Sequence, residues 1–350
     1  MPDAQTPSAP EGPRTEEEIE DLLSQPDEAL VACMGRVGGD LAVLGVAGKM
    51  GVSLARAAVR ASREAGVDRR VIGVARFSDP RARDLLEAVG VQTVRCDLLD
   101  PRAVDNLPEA ENVVYMAGRK FGTAGREALT WAMNTVAPAY VARRYRASRI
   151  VAFSTGGVYP FVPADSRGCT EDDPPDPRGE YAQSCLGRER VFEHFSRAQG
   201  TPMCLVRLFY AVEPRYGVLH DIARWVWEGE PVPLSVPRVN AIWQADANRQ
   251  ALRCLEHTAS PPAVLNVTGP EVLSVREVAL ACGRILGREV SFSGEEGERA
   301  CLGDARRALD LFGPPGVDAR TALAWTARWV RRGGRSLDKP AHFETTDGRY

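Results

Sequence analysis

An α/β fold built on a doubly wound parallel sheet, with a smaller C-terminal α+β lobe, is predicted for these 350 residues. Three observations carry that expectation. Apolar strand-like runs alternate with helical segments from residue 41 onward, a glycine-rich turn joins the first run to the first helix, and past about Pro214 the rhythm gives way to helices, short extended pieces and many prolines. Alternation of strand and helix implies a parallel sheet with helices on both faces. A lobe following it would sit at the carboxyl ends of the strands, where such sheets bind ligands.

The elements follow in chain order. Residues 1–14, rich in Pro, Ala and polar side chains and without a signal-peptide core, read as a disordered leader. Thr15-Glu16-Glu17-Glu18 is a capping-box pattern opening a short amphipathic helix to about Leu23, within a helical extension over 15–40. The nucleotide-binding domain is expected over 41–214, with strands at 41–45, 71–76, 92–96, 112–117, 149–154 and 203–208. Its helices are expected near 51–65, 80–89, 124–146 and 181–198. A mostly helical substrate lobe over 215–335 carries helices near 218–228, 246–257, 274–286, 304–312 and 319–332, and 336–350 is a tail.

Composition removes several function classes. The net charge of -3 gives no general pull toward nucleic acid or an anionic membrane. No apolar run approaches the ~20 residues of a membrane-spanning helix. The arginine clusters at 143–149 and 328–335 lie at the C-terminal ends of predicted helices, where the helix dipole favours cations. Eight scattered cysteines without a CxxC pair, and four histidines without ligand spacing, point to reduced thiols, a cytoplasmic address and no metal. Only Lys49, Lys120 and Lys339 of the 44 basic residues are lysines, which makes each lysine's position informative.

The stretch Leu41-Ala-Val-Leu-Gly45-Val-Ala-Gly48-Lys49-Met50-Gly51 is the most informative of the chain. A glycine turn between a buried strand and a helix N-terminus exposes backbone N–H groups that lack internal partners. It also lets a pyrophosphate approach them closely. Glycine turns also occur for purely steric reasons, but the strand–turn–helix order favours dinucleotide binding. The second strand ends Ala75-Arg76-Phe77-Ser78, where an acid would accept bonds from the ribose hydroxyls of NAD. Arg76 and Ser78 suit a 2′-phosphate instead, with Lys49 as a second cation, so NADP is expected, with NAD as the alternative.

Further motifs follow in order: Cys96-Asp97-Leu98 after the third strand, Ala117-Gly118-Arg119-Lys120 after the fourth, Phe153-Ser154-Thr155-Gly-Gly-Val-Tyr159 after the fifth, then Glu180-Tyr181-Ala-Gln-Ser-Cys185-Leu-Gly-Arg188. Together they resemble the extended short-chain dehydrogenase/reductases, the NAD(P)-dependent epimerase/dehydratase family, over about residues 40 to 330. The resemblance implies a Rossmann-type sheet and roles position by position. Gly45, Gly48 and Gly51, with Lys49 and Met50 between them, match the GxxGxxG loop. Asp97, with Leu98 beside it, matches the acid next to the adenine. Ala117, Gly118 and Lys120 match the loop whose lysine touches the cofactor, and Asn134 matches the helix asparagine after it. Thr155 falls on the Ser/Thr that hydrogen-bonds the substrate oxygen, and Tyr181 on the tyrosine of YxxxK, the general acid/base that also meets the cofactor. The family's habit of pairing two long helices implies a homodimer through 124–146 and 181–198.

Two departures stand out. Cys185 occupies the position of the YxxxK lysine, which in the family binds the nicotinamide ribose and lowers the tyrosine pKa from about 10. Arg188, on nearly the same helix face, and Lys120 are candidate substitutes, whereas nothing nearby in sequence marks a base that would make Cys185 a nucleophile. In Val206-Arg207-Leu-Phe-Tyr210-Ala-Val212-Glu213-Pro214, residues Tyr210, Val212 and Glu213 do not fit the pattern of nucleotide-sugar enzymes. Ile242-Trp243-Gln244-Ala-Asp246 and Leu265-Asn266-Val-Thr-Gly269 resemble later family segments, with Asp246 expected to cap a helix.

The resulting expectation is an NAD(P)-dependent oxidoreductase acting on a carbonyl or secondary alcohol of a small sugar-like substrate, with Thr155 and Tyr181 carrying the proton chemistry. Two alternatives stand beside it. One is a sugar epimerase or dehydratase that recycles its cofactor internally, and the other a catalytically degenerate NADP-binding sensor or partner protein.

Overall fold

The computed structural model describes residues 11–120 and 125–348. Residues 1–10 of the expected leader, residue 124 at the expected start of the long helix, and residues 349–350 of the expected tail lie outside the described residues. Seven parallel strands form the sheet: β1 (Leu41–Leu44), β2 (Val71–Ala75), β3 (Gln92–Arg95), β4 (Asn112–Tyr115), β5 (Arg149–Thr155), β6 (Met203–Leu208) and β7 (Ala263–Val267). Their spatial order is β7-β6-β5-β4-β1-β2-β3. Leu41 of β1 is in register with Val71 on one side and Asn112 on the other, so the winding reverses between β1 and β4. A crevice opens at the carboxyl ends of the strands at such a reversal. β1, β2 and β4 are buried at every residue, as strands covered on both faces must be. Polar Gln92 and Arg95 are exposed on the edge strand β3.

Helices α1 (Glu16–Ser24) and α2 (Glu28–Arg36) precede the sheet. The Thr15 hydroxyl accepts the Glu18 N–H while the Glu18 carboxylate accepts the Thr15 N–H, the reciprocal box that the sequence predicts. Gly12 and Pro13, read as leader, are buried, and Gly12 lies against the Trp325 ring. The sheet is flanked by α3 (Gly51–Glu64), α4 (Pro80–Glu87), α5 (Pro101–Asp105), α6 (Glu127–Trp131), α7 (Ala137–Arg144) and α8 (Gly179–Gln199). The continuous helix expected over 124–146 is interrupted, because a π turn, Ala132–Val136, separates α6 from α7. Pro138 in the first turn of α7 has no N–H to donate, and the backbone widens before it. That widened turn carries the fully buried Asn134.

Beyond β6 lie α9 (Val218–Glu228), α10 (Gln244–Arg253), α11 (Val275–Leu286), α12 (Arg306–Phe312) and α13 (Ala319–Arg331). Helices α9, α11 and α13 share an apolar core that includes Ile222, Val278 and Trp329. Strand β7 belongs to the main sheet, though it lies in the stretch assigned to the lobe. More than fifty residues separate it from its neighbour β6, so no local rhythm announces it. Asp246 does not cap α10. It lies in the first turn, where its carboxylate accepts from Arg249 at 2.8 Å and from the Val317 N–H at 3.1 Å. Among the described residues no helix is long and apolar enough to cross a membrane, and no group of three His, Cys, Asp or Glu is placed to hold a metal ion. All eight cysteines are free and buried.

Candidate active site

The turn between β1 and α3 is shaped by its glycines. Gly45 adopts φ +88, and a Cβ there would stand 2.6 Å from the Ala117 nitrogen. A Cβ on Gly51 would stand 2.4 Å from the Val46 carbonyl oxygen. The bend therefore presses against the end of β4 and against itself, as only glycine permits. No side chain caps the start of α3 at Met50; within the turn itself the Gly48 N–H donates to the Gly45 carbonyl at 3.0 Å and the Gly51 N–H to the Gly48 carbonyl at 3.1 Å.

Two clefts flank this turn and share Gly45, Gly48, Met116 and Gly118. The first, of about 330 Å³, is lined by Arg76 and Ser78 from the end of β2, Asp97 and Leu98 from the end of β3, and Ala117. The second, of about 230 Å³, is lined by Lys49, Met50, Gly51, Lys120, Thr155, Tyr181 and Arg188. A smaller chamber of about 60 Å³ adjoins the second cleft, and Lys120, Thr155, Tyr181, Phe209, Tyr210 and Ala341 border both. The fold thus gathers every candidate residue except Asn134 around one continuous groove.

Lys49 corrects the sequence reading. It does not join Arg76 and Ser78 but enters the other cleft, where its ammonium lies 3.0 Å from the centre of the Tyr216 ring and 3.4 Å from the Ala211 carbonyl. The glycine turn aims residue 49 across the groove at the 210–217 segment, whose aromatic face and carbonyl receive the cation. Burial drives its pKa well below the usual lysine value, with Glu213 opposing that shift. Burial also lowers the Lys120 pKa, and the Lys120 ammonium lies 3.4 Å from the Ala341 carbonyl.

The Thr155 hydroxyl oxygen accepts the Gly157 N–H at 3.1 Å, which leaves its O–H to donate into the cleft. Tyr181 stands in the first turn of α8, with Cys185 one turn later. The Cys185 thiol is fully buried. Desolvation raises its pKa although Arg188 and a hydrogen bond with Tyr181 pull the other way, so it remains a protonated thiol. Asn134 sits behind the wall and does not line the groove. Its side-chain oxygen accepts from the Arg119 N–H at 3.0 Å and from Arg188 at 2.6 Å, while its amide nitrogen donates to the Ser184 hydroxyl at 2.8 Å.

The structure adds residues that sequence reasoning passed over. Ser154 donates to Glu189 at 2.5 Å, Glu189 pairs with Arg207 at 2.7 Å, and Arg207 donates to the Tyr159 hydroxyl at 2.6 Å. Tyr159 in turn donates to the Asn266 side-chain oxygen at 3.0 Å. A charged Arg207 inside the apolar run of β6 is the signal that could have found this network. The segment 336–348 also reaches the site. Ala341, His342, Thr345 and Gly348 line the chamber, and Phe343 anchors the segment in the lobe core.

The sequence model described as the NAD dependent epimerase/dehydratase family matches residues 41–235. No curated protein sequence matches the chain. Among solved structures, the UDP-glucuronic acid 4-epimerase of Bacillus cereus in complex with NAD superposes with a TM-score of 0.69 at 18% identity, covering 84% of this chain and 99% of that one. The UDP-glucose 4-epimerase of Thermotoga maritima with UDP-glucose gives 0.69 at 19% identity, with the same coverage. DesIV, the dTDP-glucose 4,6-dehydratase of Streptomyces venezuelae with NAD and TYD bound, gives 0.69 at 21% identity, covering 84% and 97%. At these identities the likeness establishes a shared fold.

Proposed function

The chain belongs to the NAD dependent epimerase/dehydratase family of enzymes, and from that premise we propose that it carries out epimerase- or dehydratase-type redox chemistry on a sugar, with a nicotinamide dinucleotide reduced and reoxidised within one cycle. One observation carries the reading: Thr155 and Tyr181 border both the cleft that runs to the glycine turn and the adjoining chamber. Two hydroxyls at such a junction can serve an oxygen on a carbon that exchanges hydride with a neighbouring ring. The relatives with this fold that act on sugars support the recycling reaction over the net oxidoreductase that sequence alone puts first.

The residues fit the cofactor. The cradle that a Cβ on Gly45 or Gly51 would fill, together with the uncapped start of α3, suits a diphosphate. Asp97 and Leu98 would hold the adenine end. Arg76 and Ser78 would meet the ribose, and an arginine there in place of an acid favours NADP. Gly118, Lys120 and Tyr181 would hold the nicotinamide half. The bound cofactor supplies hydride acceptance and return. Tyr181 takes the proton from the substrate hydroxyl and gives it back, while the Thr155 O–H hydrogen-bonds the same oxygen and orients it. Leu129 and Val136, apolar and exposed on the segment expected to pair, support a homodimer.

The test combines cofactor titration with product analysis. Calorimetry should detect NADPH or NADH, and a panel of free and nucleotide-linked sugars should yield an isomer or dehydrated product with no lasting change at 340 nm. Steady NADPH consumption would return the reaction to the net oxidoreductase class. Neither cofactor associating at millimolar concentration overturns the reading.

A further inference from the structure

Arg188 is a buried cation without a counter-ion. It is 6% exposed, yet among the described residues no carboxylate lies within ion-pair distance of it. Its guanidinium donates only to neutral oxygens, the Phe153 carbonyl at 2.8 Å and the Asn134 side chain at 2.6 Å, and its Nε–H has no partner. The adjacent Glu189 is committed to Arg207 and Ser154. The pose is specific, because a Cβ on Gly118 would stand 2.4 Å from the Arg188 terminal nitrogen. Burying an unpaired charge costs several kcal/mol, so an anion forming in this wall is favoured. Tyr181 is the ionisable hydroxyl that shares both cleft and helix face with Arg188. Seven residues apart on α8, the two side chains project in nearly the same direction, and between them lies the uncharged Cys185 thiol.

We propose that Arg188 is a positioning residue whose fixed guanidinium charge, held by Asn134 and Phe153, stabilises the ionised form of the Tyr181 hydroxyl. This rests on the reading of Tyr181 as the proton carrier. Lys120 is the rival cation, but its ammonium is tied toward the Ala341 carbonyl and is weakened by burial. Arginine keeps its charge at every working pH.

The test is direct titration of Tyr181 in the ligand-free protein, followed by tyrosinate absorbance or ring-carbon NMR, with Tyr181→Phe identifying the signal. In the native protein Tyr181 should titrate below the ordinary tyrosine value of about 10. Arg188→Gln, which keeps a hydrogen-bonding head, should move that midpoint up by about one pH unit, a tenfold loss of tyrosinate at fixed pH. Arg188→Lys should retain most of the effect, and Cys185→Lys added to Arg188→Gln should restore it. A purely structural Arg188 would not be rescued by a lysine at 185. The proposal is overturned if Tyr181 titrates alike in native and Arg188→Gln proteins, or if Lys120→Met moves the midpoint and Arg188→Gln does not. If Arg188→Gln fails to fold, the native protein and Lys120→Met decide, because a native midpoint at or above about 10, or one that rises when Lys120 is removed, overturns the proposal. These readings need no cofactor, so failure to bind NADPH leaves them interpretable.

Discussion

The ammonium of Lys49 stands 3.0 Å from the centre of the Tyr216 ring, on the opposite side of the glycine turn from Arg76. The two cations therefore line different clefts, and in the proposed binding mode they would meet different halves of the dinucleotide. Replacing Arg76 with alanine should weaken NADPH by about 10- to 100-fold, the worth of one charge-assisted hydrogen bond, while NADH is unaffected. Lys49→Met should change both cofactors by the same factor. Calorimetric titration of each variant with both nucleotides checks this. A shift in the NADPH-to-NADH ratio on changing Lys49 would return that lysine to the 2′-phosphate.

Glu189 and Arg207 are both buried, 2.7 Å apart, and their network ends at Ser154 in the cleft wall. Glu189→Leu would strand a guanidinium beneath the site, at a cost of about 3–5 kcal/mol. Arg207→Met in the same chain should recover most of that loss, because an apolar pair needs no counter-charge. Urea unfolding of the two single variants and the double variant reads the coupling. Additive losses would mean that the pair does not act as a unit.

Why was so much of this legible in sequence? The strands and helices carry their own periodicity, and the glycine turn carries its own geometry, so β1, α3 and the groove between them follow from local signals. What was missed depends on contacts distant in sequence. β7 pairs with β6 across an intervening lobe, and the direction of Lys49 is fixed by Ala211 and Tyr216, more than 160 residues away. The role of segment 336–348 rests on Phe343 and Ala341, two buried residues in a tail without a strand or helix period to announce them. The π turn at Asn134 was foreshadowed only by Pro138.

His220 and Asp221 are neighbours whose titrations oppose each other. His220 Nδ1 lies 2.7 Å from the Pro214 carbonyl and must carry its hydrogen, so Nε2 accepts from the Ser336 hydroxyl at 3.1 Å. Burial lowers the His220 pKa to about 4. A depressed histidine contributes stability above its unfolded value of about 6.5, and that contribution, up to about 3 kcal/mol, is lost as pH falls toward 4. Burial raises the Asp221 pKa to about 6, so its contribution is present at low pH and is lost as pH rises through 6. The native protein should therefore show a shallow stability profile between pH 4 and 6. Asp221→Asn should make stability fall steeply with acid, and His220→Gln should reverse the slope. Thermal melts across that window decide, and parallel profiles for all three proteins would refute the assignment.

The segment 336–348 closes the chamber beside Thr155 and Tyr181. Its Ala341 N–H donates to Asp221 at 2.7 Å, the Ala341 carbonyl faces Lys120, and Phe343 packs near Trp225 with ring centroids 5.8 Å apart. Behind it lies Cys301, a chamber-lining thiol whose pKa burial pushes up to about 12. Phe343→Ala removes the apolar anchor, so the segment should lift more often and water should reach Cys301. Solvation returns a thiol toward its free value of about 8.5, which multiplies the reactive thiolate at neutral pH. Labelling of the native-state variant with a thiol reagent should then reveal one fast-reacting cysteine where the parent protein shows none. Adding Cys301→Ser should abolish that phase. If Phe343→Ala leaves the labelling rate unchanged while lowering the melting temperature, Phe343 anchors the lobe alone, and the chamber opens by another route.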